Sequence, residues 1–131
     1  MIRRNDILRG HDKDHPLTEQ LDFNLQALLI CINKLQLLYG KPFVITSGYR
    51  PPEYNAKVGG AKNSAHLYCQ AVDIHDPNNA IYDFCTEDLL IKCGLYKEDN
   101  DGGKRKWCHL QTRPAKQRVF FPYTSSFQHL P

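Results

Sequence analysis

One long amphipathic pattern constrains the fold of this chain more than any other feature of its sequence. Apolar side chains recur at spacings of three and four from Leu21 to Tyr39, which predicts a helix with one face on a core. Thr18 can cap the start of this helix and Gly40 can end it. The 131 residues, 41% of them hydrophobic, match the length and apolar content of one compact domain. We therefore predict a single domain over residues 1–131.

Shorter patterns around this helix predict an α+β fold. Residues 1–15 are polar and charged, which predicts an irregular N-terminal arm. Residues 97–106 are polar and contain glycines, which predicts an exposed loop. The other predicted elements are strands over 41–46, 70–74, 107–112 and 118–121, and helices over 53–57 and 80–93. This order favours a small, mostly antiparallel sheet with helices packed on one face.

Composition and charge exclude several classes of protein. Five cysteines without a CxxC pair argue against a disulfide framework and against a four-cysteine zinc site. No apolar stretch approaches the length of a membrane span, and no export signal is readable behind the first residues. We therefore expect synthesis in the cytoplasm and no membrane anchor.

A nucleic-acid interface has little support in the sequence. The net charge of +3 is small, and its basic residues are scattered along the chain. Such an interface would use Arg3, Arg4, Arg9 and the cluster at 104–106, which have neither stacked aromatics nor a known motif beside them. We keep nucleic-acid binding as a third hypothesis, behind the two given below.

Three side chains that suit zinc stand on separate predicted elements. His66 lies in a loop, Asp73 on a strand face opposite Val72 and Ile74, and His109 on a later strand. Two imidazoles, one carboxylate and an open fourth position are typical of catalytic zinc. Spacing does not decide the question, because a chain with six histidines offers such triples by chance.

Ordered motifs around these residues resemble a known family. The chain reads Ser-Gly-Tyr-Arg at 47–50, Ser-x-His-x-x-x-x-Ala-x-Asp at 64–73 and Trp-Cys-His at 107–109. From about Leu21 to Thr112 this order resembles the zinc D-alanyl-D-alanine carboxypeptidase and L-alanyl-D-glutamate endopeptidase family, peptidase family M15. Its members share the hedgehog/DD-peptidase fold and include vancomycin-resistance dipeptidases and bacteriophage endolysins.

The resemblance implies roles for individual residues. His66, Asp73 and His109 match the family's zinc ligands, so one Zn²⁺ ion is expected on the sheet face opposite the long helix. Arg50 matches an arginine that steadies the substrate carbonyl as negative charge develops. The remaining expectations are open: Ser64 contacts substrate or shapes its loop, Tyr49 and Trp107 line the substrate pocket or belong to the core, and His75 borders the site or faces solvent.

The chain departs from the family at the usual position of the general base. Carboxypeptidase members carry an acidic residue three positions before the second zinc histidine, where this chain has Lys106. Many phage-type members have aspartate two positions after that histidine, where this chain has Gln111. A further departure is Cys69, in place of a family glycine. The candidates for the missing base are Glu98, Asp99 and Asp101, and then Glu53.

Two functions lead on this basis. The first is a zinc metallopeptidase that hydrolyses peptide bonds in peptidoglycan stem peptides, of D,D-carboxypeptidase or L-Ala-D-Glu endopeptidase type. It would resemble a phage lysin, reach the periplasm or cell wall by phage-mediated delivery, and have other phage proteins as partners. The second is a catalytically silent zinc-binding module of the same fold, which recognises the cell wall or serves a structural purpose.

Overall fold

A five-stranded sheet with helices packed against it forms the centre of the computed structural model, which describes residues 1–122. The sheet order is β1-β2-β4-β3-β5, and every neighbouring pair is antiparallel except β3 and β5. This confirms the α+β prediction. The helices are α1 Arg4–Leu8, α2 Glu19–Tyr39, α3 Pro52–Lys57, α4 Ala80–Phe84 and α5 Glu87–Cys93, with a 3₁₀ helix at Ala65–Tyr68. The strands are β1 Ile45–Ser47, β2 Ala71–His75, β3 Tyr96–Glu98, β4 Trp107–Gln111 and β5 Val119–Phe120.

Helix α2 has the predicted caps and the predicted buried face. The Thr18 hydroxyl accepts a hydrogen bond from the Leu21 amide, and Gly40 ends the helix in the left-handed conformation that glycine adopts without a steric penalty. Its fully buried side chains are Leu25, Leu28, Ile32 and Leu35. No helix among residues 1–122 has both the length and the apolar character needed to cross a bilayer.

The register between β2 and β4 separates the core from the polar face of the sheet. Val72 pairs with Leu110, and these side chains join those of α2 in one hydrophobic cluster. Asp73 pairs with His109, one residue later than Val72 on β2 and one residue before Leu110 on β4. Because successive side chains of a strand point to opposite faces, Asp73 and His109 lie together on the face away from α2. The predicted placement of the site opposite the long helix is confirmed.

The N-terminal segment contains a helix where the sequence predicts an irregular arm. Ile2, Ile7 and Leu8 are buried, and the amide of Tyr49 donates to the Ile7 carbonyl at 2.8 Å. A Cβ added at Gly48 would lie 2.3 Å from the same carbonyl oxygen, so glycine is needed for this close approach. Three apolar residues among many charges are too few for periodicity to reveal the helix.

Two further elements differ from the sequence prediction. The helix predicted over 80–93 is two helices, because Thr86 leaves the helical conformation and caps α5 by accepting from the Leu89 amide. The exposed loop predicted over 97–106 begins with strand β3, in which Lys97 is buried. Three residues with two charges carry no strand signal of their own, and this strand exists through its pairing with β4 and β5.

Candidate metal centre

Three elements bring the predicted zinc ligands together. His66 comes from the 3₁₀ helix, Asp73 from the middle of β2 and His109 from the middle of β4. One possible ligand atom of each residue lies within 4.8 Å of those of the other two. All three residues are largely buried, so the group forms a compact polar cluster at the surface of the sheet.

The distances within this cluster fit one small cation. His109 Nδ1 lies 2.8 Å from Asp73 Oδ1, and His66 Nε2 lies 3.3 Å from Asp73 Oδ2. Ligands bound to tetrahedral zinc at about 2.0–2.1 Å are separated from one another by roughly 3.3 Å. The donor chemistry also fits, since two imidazole nitrogens and a carboxylate are ligands that zinc prefers.

Hydrogen bonds outside the cluster set the tautomers of both histidines. His66 Nδ1 lies 2.7 Å from the carbonyl of Gly48, which can only accept, so Nδ1 carries a proton and Nε2 faces the centre. His109 Nε2 donates to Gln111 Oε1 at 2.7 Å, and the Gln111 amide nitrogen in turn donates to the Arg113 carbonyl. Each imidazole therefore turns its other ring nitrogen, His66 Nε2 or His109 Nδ1, toward Asp73, where it can bind a metal once it has lost its proton.

The 3₁₀ helix that holds His66 has clear local causes. Ser64 caps it by accepting from the His66 amide at 3.2 Å. Cys69 ends it with φ of 57°, a left-handed conformation that glycine adopts more readily than cysteine. This left-handed backbone fits the glycine that the family resemblance implies at position 69. The cysteine side chain is fully buried, and burial raises the pKa of its thiol to about 12, so it acts as a core residue.

Arg50 lies on the other side of Asp73 from His109. Its Nη2 is 3.4 Å from Asp73 Oδ2, and its Nε donates to the Ser47 hydroxyl at 3.0 Å. The ion pair and the hydroxyl hold the guanidinium beside the cluster, where the S-G-Y-R motif predicts a functional arginine. Its remaining N–H groups are oriented by these two contacts.

Attraction between the Asp73 carboxylate and the two histidines dominates the electrostatics of the cluster. Burial by itself raises the pKa of Asp73, but hydrogen bonds from His109 and His66 outweigh it and hold that pKa well below its usual range. Burial lowers the pKa of His109, yet the hydrogen bond and charge of Asp73 leave it raised overall. Without a metal, the folded protein therefore holds a proton on His109 more firmly than the unfolded chain does.

This shift predicts a pH dependence in chelator-treated protein. A raised pKa stabilises the fold fully below the ordinary histidine value of 6.5, and the contribution is lost as pH rises through the higher pKa of the folded state. We expect the melting temperature of chelator-treated wild type to fall as pH rises from about 6.5 to 8. Differential scanning calorimetry measures this. A His109→Gln variant should lack that fall, and an equal fall in both proteins would contradict the prediction.

A cleft of about 560 Å³ is lined by His109, whereas His66, Asp73 and Arg50 do not belong to its lining. Its lining includes Ser64, Glu98, His109, Gln111, Lys116 and Phe120. Glu98 Oε2 lies 3.8 Å from His109 Nε2, and its other oxygen pairs with Arg105. Within residues 1–122, Glu98 is therefore the one candidate base that lines this cleft.

The other three candidate bases lie elsewhere. Asp99 accepts from the Tyr82 hydroxyl at 3.4 Å and from the Asp101 amide at 3.0 Å, and Asp101 is exposed at the turn after β3. Glu53 is exposed in the first turn of α3. None of the three belongs to the lining of the cleft. Asp99 and Asp101 follow Glu98 closely in the sequence but do not reach the cleft, because side chains alternate along the extended chain at β3 and the chain then turns away.

Several predicted site residues are placed away from the cleft. Tyr49 is buried in the hydrophobic core, and Trp107 is 42% exposed with the Arg105 guanidinium over its ring. His75 is exposed at the end of β2, and Lys106 Nζ donates to the carbonyl of Gly103. Trp107 and His109 are two residues apart on β4 and share a face of the sheet. Trp107 is the first residue of the strand, however, and is exposed to solvent there.

Sequence reasoning missed the contact between Gln111 and His109. It treated position 111 as a place for a general base, whereas the side chain reaches the ring nitrogen that faces away from the cluster. A signal was present, since residues two apart on a strand share a face. Phe120, whose ring lies edge-on to that of His109 at 6.0 Å, was also missed because β5 reaches the site through tertiary pairing.

Comparison with known sequences agrees with this geometry. The sequence model of the peptidase M15 family, described as Peptidase M15, matches residues 2–111, which include all three residues of the cluster. The chain belongs to the peptidase M15 family. No curated protein gives a significant match to it. In this M15 chain the matched region also contains Arg50, Glu98 and Gln111, and it ends before β5.

The contact of Gln111 predicts a role in metal affinity. Gln111→Leu removes the acceptor for His109 Nε2 at similar volume, which frees the ring to change tautomer or rotate. We expect the zinc affinity of this variant to fall by about 10–100-fold. Competition with a chromophoric chelator measures it. Gln117→Leu, on the exposed part of the cleft lining, is the matched control, and equal affinity in both variants would contradict the prediction.

Proposed function

We propose that this chain is a zinc-dependent peptidase that hydrolyses peptide bonds in peptidoglycan stem peptides. The observation that carries the proposal is the His-Asp-His cluster, with Glu98 in the cleft that His109 lines. Peptide hydrolysis also needs a base, and the usual family positions supply none. His66, Asp73 and His109 would hold the ion. The chemistry that a bound zinc ion supplies is Lewis-acid activation of a carbonyl and of a water molecule.

Two side chains of this chain would carry the proton and charge transfers. Glu98 takes the proton from the attacking water and gives it to the amine that leaves. Arg105 anchors one carboxylate oxygen of Glu98, so the other remains directed at the cleft. Arg50 contributes guanidinium N–H groups to the oxygen on which negative charge develops.

The character of the cleft supports a stem peptide as substrate. Arg113 and Lys116 bring positive charge to its lining, and Phe120 and Phe121 bring apolar surface. A stem peptide offers both free carboxylates and small apolar alanine side chains, which match these two surfaces. Since peptidoglycan lies outside the cytoplasm, the proposal includes a lysin-like role in which other phage components bring the enzyme to the cell wall.

The departures from the family pattern at the usual positions of the general base also favour a second function. Lys106 and Gln111 stand where relatives have acidic residues, and Gln111 orients His109 instead. A chain that kept its metal ligands and lost its base would bind a cell-wall peptide, or support a larger particle, without cleaving anything.

One experiment separates the two functions. Purified zinc-loaded protein is incubated with defined muropeptides, with and without a chelator, and the products are identified by mass spectrometry. Hydrolysis that the chelator abolishes and zinc restores would support the peptidase, and product masses would identify the bond. Saturable muropeptide binding with no product at any bond would contradict the peptidase and support the silent module.

A further inference from the structure

The outer face of α2 carries a line of large apolar side chains that the core does not use. Phe23, Ile30 and Leu37 are 68%, 72% and 82% exposed. They are spaced seven residues apart, so each is displaced by about 20° around the helix from the one before. The line extends for about 21 Å, since a helix rises 1.5 Å per residue. We call Phe23, Ile30 and Leu37 the α2 stripe.

The α2 stripe is an unusual surface for a chain that stays monomeric. Scattered single hydrophobic residues are normal on protein surfaces, but aligned ones mark sites of association. Met1, 92% exposed, adds to the patch, because it lines the same surface depression as Ile30 and Leu37. A repeat of seven keeps the three side chains on one side of the helix, where a second helix can pack along it.

Charged residues at the two ends of the stripe indicate what covers it. Glu19 stands eleven residues before Ile30, and Lys41 stands eleven residues after it. Glu19 is exposed in the first turn of α2, and Lys41 is exposed beside Leu37 in the same depression. The face is thus acidic at its start and basic at its end, with the three apolar side chains between them and the exposed polar residues Gln26 and Lys34 on either side of Ile30.

We propose that the α2 stripe is the interface of a homodimer in which two α2 helices pack antiparallel around a twofold axis at Ile30. This arrangement places Ile30 on its own copy and Phe23 on Leu37 of the partner. It also places Glu19 against the partner's Lys41, twice, since a twofold interface is self-complementary. A parallel arrangement would instead bring Glu19 against Glu19 and Lys41 against Lys41.

The position of α2 makes such a dimer compatible with function. The opposite face of α2 packs on the core, and the metal cluster lies on the far side of the sheet. Both clefts of the dimer therefore remain open. A lipid surface fits the stripe less well, because Glu19 and Asp22 place acidic groups at one end, whereas interfacial helices favour basic ones.

Sedimentation velocity over a series of protein concentrations tests the proposal. Wild type should show a reversible monomer–dimer equilibrium. Ile30→Lys should weaken the dimer by about tenfold or more, because it places two lysines together on the axis. Val58→Lys, which replaces another exposed apolar residue just after α3, is the matched control and should dimerise as wild type does.

A charge exchange tests the antiparallel register. Glu19→Lys and Lys41→Glu should each weaken dimerisation, and the double variant should restore it, since opposite charges face each other again. A wild type that is monomeric at every concentration overturns the proposal, as does a dimer unaffected by Ile30→Lys. Failure of the double variant to restore dimerisation overturns the register. Co-sedimentation of a monomer with phosphatidylcholine–phosphatidylglycerol vesicles, lost in Ile30→Lys, would assign the stripe to a lipid surface instead.

Discussion

Replacement of Glu98 by glutamine is expected to lower kcat on a stem peptide by about 10²–10⁴ while zinc stays bound. Glutamine keeps the shape of the side chain but cannot take a proton from water. Glu98 lines the cleft and reaches to 3.8 Å from His109 Nε2, which no other candidate base does within residues 1–122. Steady-state kinetics on the cleaved muropeptide measure the effect, and zinc content after dialysis shows that the centre is intact.

Neighbouring carboxylates provide the controls for this experiment. Asp101→Asn removes an exposed carboxylate three residues from Glu98 and should leave kcat within about twofold of wild type, as exposed groups outside an active site do. Full activity of Glu98→Gln would show that another group is the base. Lys106→Glu is the converse variant, since it restores the acidic residue that relatives carry. If wild type is inactive and Lys106→Glu hydrolyses a stem peptide, the silent-module function is correct.

Replacement of His66 by alanine is expected to abolish stoichiometric zinc binding. His66 is one of three candidate protein ligands, and its Nε2 is directed at the centre by the bond to Gly48. Loss of a ligand should weaken binding by more than the roughly 10–100-fold expected for an orienting residue such as Gln111. Zinc content by mass spectrometry after dialysis, with circular dichroism as a check on folding, measures the result.

His75 offers a matched control for the metal experiment. It lies two residues from Asp73 on the same strand, yet it is exposed at the strand end and outside the cluster. His75→Ala should keep one zinc ion per chain. The metal assignment would fail if His66→Ala retained stoichiometric zinc, or if His75→Ala lost it while remaining folded.

Local interactions explain which parts of the structure could be predicted. Helix α2 was predictable with both ends, because apolar periodicity, a threonine cap and a terminal glycine act within a few residues of one another. The face of Asp73 was predictable for the same reason, since alternation along β2 is a property of the strand itself. Helix α1 was not, because its few apolar side chains gain stability from the core that they join.

The sequence by itself determined the main helix and the α+β class, because caps and periodicity are written in neighbouring positions. Through its ordered motifs it also gave the family resemblance, which implied the three residues of the candidate metal centre. The tertiary structure decided which carboxylate reaches the cleft and what orients the histidines. Glu98 meets His109 because β3 pairs with β4. The sequence of β3 carries no strand signal of its own. Its pairing with β4 is therefore stabilised by non-local contacts, which the local sequence does not encode.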